Sequence, residues 1–115
     1  MFIAYLVVTI ATAAANIFSA TLDFIRYKQI LINMANVGVP DSWITALGVL
    51  KAAGALGLLV GIAVPSIGIA AARGLVLFFI GAIVTHLLGH DYSFGLAAVF
   101  LLLAIAALVL RVASL

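Results

Sequence analysis

Polar and apolar positions divide the chain into four long apolar stretches separated by three polar breaks, a long one after the first stretch and two short ones. A helix needs about 20 apolar residues to cross the hydrocarbon of a bilayer, and each stretch meets that length. The first runs over 2–22 and ends in the cluster Asp23, Arg26, Lys28 and Gln29. Within 27–42 the apolar residues Ile30, Leu31, Met34 and Val37 recur at helical spacing over a length too short to cross. This segment reads as an interfacial or re-entrant amphipathic helix. Gly38 and Pro40 break it, Asp41 or Ser42 is placed to cap the next helix, and Trp43 suits the headgroup level. The second span covers 43–64, the Pro65–Ser66 break turns the chain, and the third covers 67–88. Gly89, His90, Asp91 and Tyr92 turn it again into a fourth span over 93–112.

The expected fold is therefore all-α, an antiparallel bundle of four transmembrane helices with a short helix between the first and second spans. It forms a single integral membrane domain over 1–115. An even number of spans places both termini on one side and the long loop on the other. Gly48, Gly54, Gly57 and Gly61 in the second span, with Gly68, Ala71 and Ala72 in the third, let helix backbones approach closely. A tightly packed core is the plain reading of that density.

Composition sharpens the class. Of 115 residues, 69% are hydrophobic and 7% charged, and mean hydropathy is +1.50, whereas soluble domains carry about a quarter charged residues. The net charge of +2 is spread over the spans, so it forms no basic face for nucleic acid. The chain has no cysteine, which removes thiolate nucleophiles, iron–sulfur clusters and dithiol redox chemistry. Phosphate loops, dinucleotide-binding glycine motifs and GxSxG elbows are missing as well, and nothing points to an intrinsic enzymatic activity.

An ionisable group within a span costs roughly 2.5–3.5 kcal/mol on insertion scales, so each one asks for a partner or a function. Lys51 lies eight residues past Trp43, about 12 Å below the surface by helical rise. The same depth on the first span reaches Asn16, a candidate acceptor, while Asp23 nearer the surface offers a countercharge. His86 lies about one turn from the end of the third span, with His90 and Asp91 in the turn beyond. Asn16, Asp23, Lys51, His86, His90 and Asp91 thus fall in the same half of the bundle. Two readings stay open. In one they form a polar pocket able to hold a headgroup or a quinone ring, with Lys51 as donor and His86 as proton shuttle; in the other they satisfy one another and fix helix register. A metal is not expected, because Gly89 interrupts the helix between His86 and His90 and further ligands are lacking. Arg73, about 9 Å inside from the opposite surface, falls level with Tyr5 and Thr9. It reads as a structural tether or a site for an anionic lipid.

The string from Leu47 to Asp91 resembles the DoxX-like family of small four-span bacterial membrane proteins. KAAGALGLL at Lys51–Leu59, the Pro65 turn followed by GIAAARGL at Gly68–Leu75, and the His86 and Asp91 ending carry the resemblance. His90 in LLGH departs from the basic residue that many relatives carry before the Asp. The resemblance implies a four-helix bundle in the bacterial inner membrane, without a defined activity of its own, and relatives linked to quinone-coupled oxidation or to membrane oxidoreductase assemblies. Two functions are expected on these grounds. One is a structural or accessory subunit, self-associated or within a larger membrane complex, in contact with the lipid bilayer. The other is a protein that binds a quinone or similar lipophilic molecule beside Lys51 and His86, with quinone as the candidate cofactor. A channel is poorly supported, since four spans leave little lumen and a lone lysine is no selectivity ring.

Overall fold

The computed structural model describes residues 1–26, 28–36, 38–89 and 94–115. Four long helices carry the architecture: α1 (Phe2–Phe24), α3 (Ile44–Val60), α4 (Pro65–Leu88) and α5 (Gly95–Ala113), with the short α2 (Lys28–Asn36) between the first two. α1 packs against α3 and α5, and α4 packs against the same two, so the helices form a square with α1 and α4 on one diagonal. The bundle is 41 Å long, close to a bilayer with its headgroup layers.

α1, α4 and α5 are long and apolar enough to cross a membrane, whereas α3 spans only 17 residues, roughly 25 Å. The expected span over 43–64 is thus shortened at its far end. Proline disfavours helical backbone in the residue before it, and Val64 ahead of Pro65 is extended at φ −123°, ψ 94°. α3 itself ends at Val60 and the chain passes through turns over 61–63 before that extended residue; α4 begins at Pro65 rather than at 67, with proline in the first turn where its missing N–H costs nothing. The start of α3 also differs from expectation. A 3-10 turn over Asp41–Trp43 leads into it, and its cap is Trp43, without a side-chain hydrogen bond.

Small residues set the α3–α4 distance. A methyl group at Gly57 would stand 2.7 Å from Ala71 Cβ, one at Gly54 would strike the Leu75 side chain, and one at Gly61 would collide with the Gly68 backbone. The far side of this contact is the apolar core, where Leu58, Ala72, Leu75, Phe79, Ala104 and Ala107 are buried together. Phe79 meets Phe100 edge-on at 5.2 Å between ring centres.

α1 is built the other way round. Its outward face carries Ile3, Val7, Ile10, Ile17 and Phe18, all exposed, whereas Tyr5, Thr9, Thr12, Asn16 and Asp23 are buried. The spacing of these buried positions, with Ser19 between the last two, alternates four and three residues, so one polar seam faces inward along the whole helix. Hydrocarbon gives no hydrogen bonds, and part of the seam turns to its own backbone. Thr12 Oγ1 donates to Val8 O at 2.7 Å and Asn16 Nδ2 to Thr12 O at 2.9 Å.

Candidate functional site

The α1 seam ends at an ion pair with α3. Lys51 Nζ lies 2.6 Å from Asp23 Oδ2 and donates to Ser19 Oγ at 2.8 Å. Both charged residues are buried, Asp23 at 3% and Lys51 at 9% exposure. Gly48 makes the approach possible, since its Cα faces Asp23 and Phe24 so closely that a methyl there would stand 3.0 Å from each. α1 continues helically through Asp23 to Phe24, which points the carboxylate inward instead of into the loop. Two of the three ammonium donors are engaged in this way, which leaves one for a further acceptor.

That ammonium stands in the wall of a cavity of about 430 Å³. Ser19, Asp23, Lys51, Thr85 and His86 supply its polar wall, while Phe78, Phe79, Phe100 and Trp43 supply aromatic surface. Lys51 Nζ lies 6.0 Å from the centre of the Phe78 ring. Ile30 and Met34 of α2 also line the space, so the short helix between the first two spans closes one side of it. A mostly apolar hollow with a few convergent polar groups is the usual form of a small-molecule site, and its volume falls within the usual range of about 300–1,000 Å³.

The structure brings Asp23, Lys51 and His86 to this one cavity. Asn16 is elsewhere. It is fully buried a turn deeper and donates to Thr12 O, because the lysine stem carries the ammonium toward Ser19 and Asp23 instead. His90 and Asp91 lie outside the described residues. Arg73 is exposed on the outer face of α4, not directed at Tyr5 and Thr9. It is Arg111 of α5 that covers Tyr5, with its guanidinium carbon 4.6 Å from the ring centre and only 6% exposed. The sequence reading missed this pair and the continuous seam, although the alternating spacing of Tyr5, Thr9, Thr12, Asn16, Ser19 and Asp23 is a signal present in the sequence.

Comparison with known proteins gives one result. The model of the DoxX-like family matches residues 7–109, which takes in α3 and α4 whole, most of α1 and α5, and every residue of the cavity wall. None of the curated proteins matches the chain, and no solved structure does.

Proposed function

The chain belongs to the DoxX-like family and is a multi-pass membrane protein, and we propose that its cavity at Asp23, Lys51 and His86 binds a lipophilic small molecule with a polar head, a quinone in the first instance. The Lys51 ammonium carries this reading. It is held by Asp23 and Ser19 with one donor to spare, on the edge of an aromatic-lined hollow. A quinone head offers flat apolar faces for Phe78 and Phe100 and carbonyl acceptors for the spare Lys51 N–H and the His86 imidazole. The protein in this reading sits in an inner membrane with both termini on one side, and it serves a redox assembly without turnover of its own. Native mass spectrometry from mild detergent tests the binding. The wild type should retain a small lipophilic mass that Lys51→Met releases while the fold persists; equal retention by Lys51→Met and His86→Ala would remove the pocket from consideration.

A second reading, an accessory subunit packed against a copy of itself or a larger complex, is favoured by the outer face of α4. Arg73 is exposed there near Gly74, Leu77 and Gly81, and methyl groups on either glycine would meet nothing within 4 Å. A charged residue on a lipid-facing surface is costly, and a neighbouring helix or an anionic headgroup would relieve that cost. Disulfide trapping through Gly74→Cys in membranes tests the face: a crosslinked species supports it, and a monomer under oxidation counts against it.

A further inference from the structure

At the end of the bundle opposite the cavity, four side chains hold buried polar atoms without hydrogen-bond partners. Arg111 leaves Nε and Nη1 unused, and Tyr5 Oη, Thr9 Oγ1 and Ser114 Oγ are in the same condition. Tyr5 and Thr9 are 2% and 0% exposed. α1 and α5 run antiparallel, with Thr12 Oγ1 3.4 Å from Leu103 O and the Tyr5 ring under Arg111. That register sets Thr9 one turn inward of the guanidinium.

Among the described residues no carboxylate lies within ion-pair distance of Arg111, and Asp23 is committed to Lys51 about 27 Å away by helical rise. The carbonyl end of α5 offsets part of the charge, and the Tyr5 ring offsets part through its face. Neither gives the N–H donors an acceptor. A guanidinium over a phenol ring, with the unpartnered hydroxyls of that phenol and of a threonine one turn further in, is a donor set of the kind that oxyanions recognise.

We propose that Arg111, Tyr5 and Thr9 form a binding site for an oxyanion, a phosphate or carboxylate group, at this end of the bundle. The guanidinium supplies charge and N–H donors, the Tyr5 ring holds it in place from below, and the two hydroxyls complete the donor shell around the anion's oxygens. A lipid headgroup and a free anion share this chemistry. The site is independent of the cavity, since no residue is common to both.

The melting temperature of the purified chain in neutral detergent tests the proposal, because a ligand of the folded state raises it. Inorganic phosphate is titrated at fixed ionic strength, and in a parallel series phosphatidylglycerol is added against phosphatidylcholine. A saturable rise with phosphate identifies a free anion, and a rise with phosphatidylglycerol alone identifies a headgroup. In either case Tyr5→Phe, which keeps the ring and removes one donor, should raise the half-saturating concentration about tenfold, the usual worth of a hydrogen bond to a charged group. Arg111→Lys, which keeps the charge and loses the fork, should also weaken the response. Responses that are identical in wild type, Tyr5→Phe and Arg111→Lys, or no response to either ligand in the wild type, would overturn the site. Thr9→Val provides the comparison if an Arg111 variant does not fold.

Discussion

Lys51 on α3 and Asp23 on α1 meet at 2.6 Å with their side chains 11% and 4% exposed, and this contact joins the packing of the bundle to the wall of its cavity. Removing one member leaves the other charge buried without a partner, which costs about 3–5 kcal/mol. Lys51→Met and Asp23→Asn should each lower stability by about 3 kcal/mol in a denaturation series in micelles. The double variant should recover at least about 1 kcal/mol of the summed loss, because its two changes remove the same interaction. Strictly additive losses would show that the pair is not coupled.

The glycines of α3 and α4 divide into two kinds. Gly61→Ala places a methyl group on the Gly68 backbone, and forced separation of packed helices costs typically 1–3 kcal/mol. Gly74→Ala meets nothing within 4 Å and exchanges a poor helix former for the best one. Thermal unfolding should show Gly61→Ala destabilised and Gly74→Ala unchanged or slightly raised. The reverse order would contradict the helix contact described above.

Arg73 and Arg111 are both arginines near one end of the bundle, and they should respond differently. Arg73 is exposed, so Arg73→Leu should leave the stability of the isolated chain within about 0.5 kcal/mol of wild type, as substitutions away from packed features do. Circular dichroism melts in neutral detergent measure this. A loss above about 2 kcal/mol would mean that Arg73 holds the bundle from within.

The helices themselves were legible because lipid imposes a length and an apolar composition that few other structures satisfy. Pro65 and Gly89 mark their ends. Depth was legible too, since rise per residue converts sequence distance into height, and that arithmetic places Lys51, Asp23 and His86 in one half of the bundle. Direction around each helix was not obtained from depth. Arg73 shares a level with Tyr5 but sits one residue off the buried face formed by Gly68, Ala72, Leu75 and Phe79, and so it points outward. Asn16 lay level with the Lys51 backbone, but a long flexible stem moves its ammonium by about a turn, toward Ser19. The inward seam of α1 was visible only to a search for polar periodicity within an apolar span, the inverse of the pattern that identifies a soluble helix.

Trp43 is the only tryptophan of the chain and lines the cavity with Lys51 and Phe78, so its emission reports directly on what enters. Titration of a short-chain quinone into the purified protein should quench Trp43 fluorescence along a saturable curve, and Lys51→Met should shift that curve to at least tenfold higher concentration with the helical circular dichroism unchanged. A linear, unsaturating quench that is the same in wild type and Lys51→Met would contradict a binding site in this cavity.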